Sequence, residues 1–108
     1  MAKIPASASR DKVRAIVPKL IDMTEKVVYG DVWERKGLSK RDRSLITVSA
    51  LIALNRPDQL RSHFGLASQN GLTREELAEA ITHLAFYSGW PSSVSAATIA
   101  KEVLLPKK

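Results

Sequence analysis

Cysteine is absent from this 108-residue sequence, and its absence excludes whole classes of chemistry. Without a thiol, these residues form no disulfide, no thiolate metal site and no thiol nucleophile. Long hydrophobic runs are missing as well, since the most apolar stretch, SLITVSALIAL, is about half of the ~20 residues that a membrane span needs. The N-terminal MAKIPASASRDKVR lacks the apolar stretch of a signal peptide. We therefore expect a cytoplasmic protein that does not enter a membrane.

Basic residues outnumber acidic ones, which gives a formal net charge of +6. Such a charge attracts either nucleic acid or small polyanionic molecules. A helix-turn-helix outline is present in AFYSGWPSSVSAATIAKEV, but its second helix carries no Arg, Lys, Asn or Gln before Lys101. Base reading depends on those side chains. We therefore expect a small anionic organic substrate and no nucleic-acid partner.

Apolar residues recur at helical intervals through the chain, and no stretch alternates convincingly with a period of two. A single domain over 1–108 is expected, because a chain of this length builds one core but not two. The predicted fold is all-α, a compact bundle of about five to six helices joined by short turns. After a loose tail over 1–9, the predicted helices lie near 18–30, 40–54, 56–70, 73–88 and 91–105.

Capping residues mark the predicted helix boundaries. Ser39 and Thr73 each stand three residues before an acidic side chain, which is the arrangement of a capping box. Asn55 is predicted to cap the helix that begins near Pro57, and Gly71 is predicted to end that helix.

His63 shares a helical stripe with Leu60, Phe64 and Ala67, and this placement raises the question of its role. Two interpretations stay open from the residues alone. His63 is either a neutral structural histidine bonded within the core, or a general acid or base whose pKa lies near neutrality in a partly apolar pocket. No second histidine or carboxylate stands at ligand spacing on that face, so no metal site is predicted.

Three arginines stand near this histidine in the sequence or at the start of neighbouring helices: Arg43, Arg56 and Arg61. They are either solvated charges at helix ends or, where two of them point towards His63, a site for a carboxylate or dicarboxylate. Arginine binds such groups through two parallel hydrogen bonds. An apolar pocket with one histidine and convergent arginines suits a small organic anion.

The segment GDVWERKGLSKRDRSLITVSALIALNRPDQLRSHFGLASQNGLTREELAEAITHLAFYSGWP resembles the carboxymuconolactone decarboxylase family, within the alkylhydroperoxidase D-like superfamily. The resemblance runs from about Gly30 to Val103 and rests most on GDVW, RSLIT, LNR, LRSH, NGLTREE and FYSGWP. It implies an alkylhydroperoxidase D-like, all-helical domain, which in the decarboxylase branch of the superfamily uses no cofactor. It also implies assembly as a homotrimer or homohexamer, with pockets near the subunit contacts.

The peroxidase branch of that superfamily carries a C-x-x-C-x-x-x-H motif, and His63 matches its histidine. Arg56 and Gln59 stand where the two cysteines would be, and Ser44 stands where that branch usually has a glutamate. Because the nucleophile, the resolving thiol and the relay carboxylate are all missing, thiol peroxidase activity is excluded.

The decarboxylase branch fits the sequence better. It implies a carbon-carbon lyase that acts on a lactone with two carboxylates in aromatic catabolism through β-ketoadipate, with His63 as the catalytic proton donor. The substrate-binding residues predicted from this pattern and from the arginine argument are Trp33, Arg43, Ser44, Arg56 and Arg61. Two alternatives stay open: a non-catalytic oligomeric binding protein, and a lyase or isomerase for another small organic acid.

Overall fold

The computed structural model describes residues 8–106 and, for side chains, residues 10–106. The predicted loose tail over 1–9 falls outside this range except for its last two residues, which begin a helix and not a tail. Every regular element within the described residues is helical, so the predicted all-α class is confirmed. Among these residues, no helix combines the length and the apolar character that crossing a bilayer requires.

The chain divides after Lys40 into two compact units, and the expectation of a single domain stays a prediction. The N-terminal unit contains α1 (Ala8–Val13), α2 (Pro18–Met23), a π-helix (Thr24–Tyr29) and a 3-10 helix (Val32–Glu34). Pro18 begins α2, where its missing N–H costs no helical hydrogen bond. The helix predicted from Pro18 to Gly30 is therefore present, but its second half is wound as a π-helix.

The C-terminal unit is built from longer helices that share one core. They are α3 (Lys40–Ala53), α4 (Pro57–Gln69), α5 (Arg74–Ser88) and α6 (Trp90–Leu104). Their buried apolar side chains recur three, four or seven residues apart, which places them on one face of each helix. The core comprises Val48, Ile52, Leu60, Phe64, Ala67, Leu72, Leu77, Ile81, Ala96 and Ile99.

The turn between α3 and α4 differs from the prediction at Asn55. Asn55 has a positive φ of 56°, its N–H donates to the Ile52 carbonyl at 3.0 Å, and the next N–H donates to the Leu51 carbonyl at 2.9 Å. These two bonds form a Schellman motif, so Asn55 ends α3, and Arg56 occupies the N-cap of α4. The prediction was wrong because asparagine favours both positions, and its neighbours in the sequence do not distinguish them.

The predicted cap of α5 and the predicted end of α4 are confirmed. Thr73 Oγ1 accepts from the Glu76 N–H at 3.0 Å, and Glu76 Oε1 accepts from the Thr73 N–H at 2.9 Å. Gly71 follows α4 with a φ of 101°, and the next N–H, that of Leu72, donates to the Ala67 carbonyl at 3.0 Å. Both boundaries therefore use the local chemistry that the sequence indicated.

Gly71→Ala is expected to lower the free energy of unfolding by about 1–2 kcal/mol. A Cβ at this position meets no atom within 4 Å, so the cost comes from the φ of 101°, which L-residues rarely adopt. Gly65, inside α4 with equally open space around it, is the matched control. Gly65→Ala should instead raise the free energy of unfolding by about 0.5–1 kcal/mol. Urea titrations measure both changes, and equal effects at the two glycines would contradict the conformational explanation.

Candidate functional site

His63 lies at the edge of the buried face of α4. Leu60, Phe64 and Ala67 of that helix are buried, whereas His63 is half-buried on one flank of the stripe they form. Burial lowers the pKa of the imidazole below its usual 6.5, because removal from water disfavours the charged form. His63 is therefore not enclosed in the core, and its ring can exchange a proton with its surroundings.

The lowered pKa predicts a pH dependence of stability that His63 itself contributes. An imidazole with a lower pKa in the folded state stabilises the fold above its unfolded pKa of about 6.5, and this contribution is lost as the pH falls through the folded pKa. We expect the free energy of unfolding to fall less steeply for His63→Gln than for the wild type as the pH drops below about 6.5. Parallel denaturant titrations at several pH values measure this difference, and identical profiles would contradict it.

Arg61 lies on the other side of α4 from His63. Two residues along an α-helix are about 200° apart around its axis. The Arg61 guanidinium forms an ion pair with Glu102 of α6, which holds the side chain towards that helix. The structure thus directs Arg61 away from His63 and gives it a carboxylate partner within the chain.

Ser44 and Asn70 connect α3 to α4 on the flank that carries His63. Ser44 is 2% exposed, and its Oγ accepts a hydrogen bond from Asn70 Nδ2 at 2.9 Å. Asn70 follows His63 by seven residues, about two helical turns, which returns it to the same flank. In the protomer Ser44 therefore presents almost no surface to a ligand, although it was predicted to bind substrate. The seven-residue spacing from His63 is the signal in the sequence that points to Asn70.

Arg43 and Arg56 lie near the N-termini of α3 and α4, the two helices that the bond between Ser44 and Asn70 connects. Arg43 lies in the first turn of α3, half-buried, with its Nε atom buried. Arg56 is the exposed N-cap of α4, seven residues before His63 and so on the same flank. Because Ser44 contacts Asn70, the first turn of α3 lies at the far end of α4. Along the axis of α4, His63 therefore lies between the two arginine positions.

Trp33 belongs to the N-terminal unit and lies in its 3-10 helix. It is half-buried, with its ring centroid 5.6 Å from that of Tyr29 at an interplanar angle of 31°. The Arg10 guanidinium lies 5.7 Å from the centroid of the same tyrosine ring, a cation–π contact. Burial raises the pKa of Tyr29. A contact between Trp33 and a substrate stays a prediction.

Two surface grooves of the C-terminal unit are lined by residues other than the predicted site residues. One has a volume of about 300 Å³ and lies between α5 and α6, and the other has about 420 Å³ and lies between α3 and α5. No group of three or more His, Asp or Glu side chains within residues 8–106 is placed to hold a metal ion. Of the predicted site residues, His63 is thus half-buried on the flank of α4, between the positions of Arg43 and Arg56 along the axis of that helix.

Comparison with other proteins supports a family relationship over most of the chain. A sequence profile of the carboxymuconolactone decarboxylase family matches residues 18–102, which include every predicted site residue. The 4-carboxymuconolactone decarboxylase of Acinetobacter baylyi is 45% identical over 75 residues, which are 69% of this chain and 56% of that protein.

Two further relatives match the chain at lower identity. The nitrosuccinic acid decarboxylase of Metarhizium robertsii is 36% identical over 76 residues, which are 70% of this chain and 53% of that protein. An uncharacterized 15.0 kDa protein of Paracoccus denitrificans is 35% identical over 92 residues, which are 82% of this chain and 67% of that protein. The chain thus spans about half the length of the two decarboxylases that it matches.

Proposed function

Because the chain belongs to the carboxymuconolactone decarboxylase family, we propose that it is a cofactor-free decarboxylase of a small carboxylated lactone in aromatic-compound catabolism. The observation that carries the proposal is its 45% identity with a 4-carboxymuconolactone decarboxylase over 69% of the chain. The aligned region is 56% of that relative, so the activity is an expectation for this chain and calls for a direct test.

The flank of α4 offers the groups that such a reaction requires. His63 is half-buried and carries an exchangeable proton. Arg43 and Arg56 place positive charge towards the two ends of the same flank, and an arginine holds a carboxylate through two parallel hydrogen bonds. A small substrate with two carboxylates is thus oriented with its reacting ring near the imidazole.

The proposed reaction begins when the bond between a ring carbon and the departing carboxylate breaks, and carbon dioxide leaves. The electron pair of that bond moves through the ring alkene into the lactone carbonyl and forms a dienolate. Arginine charge stabilises the dienolate and the retained carboxylate. Protonated His63 then donates its proton to a ring carbon, which completes the shift of the double bond. The overall reaction consumes one proton and releases one carbon dioxide, and it requires no oxidant or reductant.

The environment of His63 bears on this proton transfer. Burial, which lowers the pKa of the imidazole, makes the imidazolium a stronger proton donor and a scarcer one at neutral pH. Because the ring is half-exposed, it can regain a proton from water after each turnover. A histidine sealed in the core would lack this route, so the partial burial of His63 supports its role as the donor.

The nitrosuccinic acid decarboxylase of Metarhizium robertsii adds a second compound to be tested as a substrate. The two decarboxylases are named after nitrosuccinic acid and 4-carboxymuconolactone. Both are small acids in which an electron-withdrawing group can accept the electron pair that the departing carboxylate leaves behind. The acceptor is a nitro group in one and a conjugated lactone carbonyl in the other. The substrate class proposed for this chain is therefore a small polycarboxylate with such an acceptor, the lactone being the leading candidate.

Turnover of 4-carboxymuconolactone by the purified protein is the direct test, followed by the loss of ultraviolet absorbance and the release of carbon dioxide. Turnover would support the proposal. Saturable binding of the lactone without turnover would favour the non-catalytic binding protein. Release of carbon dioxide from nitrosuccinate alone would favour a decarboxylase for another acid. The absence of binding and turnover with both compounds would overturn the proposal.

A homotrimer or homohexamer is also part of the proposal, because an apolar surface is exposed where α5 meets α6. Phe86, Tyr87 and Trp90 are 74%, 77% and 60% exposed, and Val94 adjoins them one turn into α6. The rings of Phe86 and Trp90 pack edge to face with their centroids 5.5 Å apart. Clustered exposed aromatic side chains are typical of protein interfaces. This aromatic patch (Phe86, Tyr87, Trp90 and Val94) is the surface we propose to be covered by a second copy.

Light scattering over micromolar concentrations should accordingly give a mass of three or six chains. Trp90→Glu, which places a charge in the aromatic patch, is expected to shift that mass towards a single chain, because burying an unpaired carboxylate is costly. Circular dichroism checks that the variant stays helical. A single-chain mass for the wild type at every concentration would contradict the proposed assembly.

A further inference from the structure

We propose that Asn70 is a positioning residue whose amide, through the buried hydroxyl of Ser44, fixes the first turn of α3 against the flank of α4. That turn carries Arg43, and that flank carries His63. The inference rests on the proposed function and concerns the geometry of the same site. Asn70 itself is assigned no contact with the substrate.

The hydrogen bond between Asn70 and Ser44 joins two helix ends that are distant in sequence. Asn70 Nδ2 donates to Ser44 Oγ at 2.9 Å, and the accepting serine is 2% exposed. A buried hydroxyl that loses its partner is left unsatisfied, so the bond favours one placement of α3 along α4. Arg43 directly precedes Ser44 and is carried with that turn.

Asn70 is held rigidly because it closes α4. Its backbone N–H donates to the Leu66 carbonyl at 2.9 Å, and the left-handed Gly71 that follows lets the chain return Leu72 to the core. The amide therefore projects from a fixed helix end and not from a flexible loop. It lies about 10 Å along the helix axis from His63, on the same flank.

The loss of this bond should act on the geometry of the site and not on the chemistry of its groups. A shift of about 1 Å in a group that orients the substrate can lower the rate about a hundredfold. Releasing Ser44 from Asn70 lets Arg43 move relative to His63. KM should therefore rise and kcat should fall together, whereas a purely structural bond would change only the stability.

The test compares Asn70→Ala and Asn70→Leu with the wild type, in the full chain and in the lactone decarboxylation assay. Leucine has nearly the shape of asparagine but neither donates nor accepts a hydrogen bond, so both variants should lose about 10- to 100-fold in kcat/KM. Adding Ser44→Ala to Asn70→Ala should cause no further loss, because the two residues act through one bond. Losses that multiply would overturn the proposal.

Ser93→Ala is the matched structural control. Ser93 is the other buried serine of the described chain, and its Oγ donates to the Ile81 carbonyl at 2.8 Å, between α6 and α5. Its replacement should lower the unfolding midpoint and leave kcat/KM unchanged. An Asn70→Ala protein that behaves in the same way, destabilised yet fully active, would overturn the proposal.

The behaviour of the wild type separates this inference from the proposed function. A wild type that neither binds nor converts the lactone overturns the proposed function, and the inference with it. With a wild type that binds the lactone without turnover, the Kd measured by calorimetry should rise about tenfold in Asn70→Ala and stay unchanged in Ser93→Ala. Equal affinities of the wild type and Asn70→Ala would then overturn the inference alone.

Discussion

Replacing His63 with glutamine is expected to lower the rate of lactone decarboxylation about 10²–10⁴-fold, the usual contribution of a positioned acid or base. Glutamine keeps a polar side chain of similar reach on the half-buried flank of α4, but it carries no titratable proton. Because His63 lies beside the core and not within it, the helical fold should persist. Initial rates together with far-ultraviolet circular dichroism separate a chemical effect from a structural one.

His83→Gln is the matched control, because His83 is the other histidine of the sequence. It lies exposed on α5, with its ring centroid 4.8 Å from that of Tyr87. Its replacement should leave the decarboxylation rate unchanged. Equal losses from the two histidine variants, or a His63→Gln protein whose activity simply follows its folded fraction, would assign His63 a structural role.

Phe64→Ala is expected to lower the free energy of unfolding by about 3–5 kcal/mol. Phe64 is 0% exposed and is the largest of the fully buried side chains, in a core that also holds Ile52 and Leu77. Its removal leaves a cavity that the surrounding helices refill only in part. Since small domains are stable by about 5–15 kcal/mol, this one change removes a large share of the total. Urea unfolding followed by circular dichroism measures the loss.

Phe86→Ala supplies the comparison, because Phe86 is the other phenylalanine and is 74% exposed on α5. Little buried surface disappears with its ring, so the stability of the protomer should change far less than with Phe64→Ala. Phe86 belongs to the proposed interface, and a loss of assembly depends on protein concentration. Titrations at several concentrations therefore separate the two effects. Equal losses at every concentration would contradict the assignment of Phe64 to the core.

The helix positions and the caps at Thr73 and Gly71 could be predicted from the sequence because both depend on near neighbours. Apolar residues spaced three and four apart place Leu60 and Phe64 on a buried stripe and His63 beside it, and this placement does not depend on the rest of the chain. The capping box at Thr73 is complete within four residues. Asn55 is the exception, since its side chain suits the start of one helix and the end of another, and only the backbone decides between them.

Which side chains meet across helices was decided by the tertiary structure alone. Arg61 pairs with Glu102, 41 residues away, and Ser44 bonds to Asn70, 26 residues away. Such pairs depend on helix crossing geometry, and a long flexible arginine pairs with whichever carboxylate the packing brings within reach. The sequence by itself therefore determined an all-helical chain with a histidine at the edge of its core. The packing of the helices decided that Arg61 pairs with Glu102 of α6. It also decided that Ser44 bonds to Asn70 on the flank of α4 that carries His63.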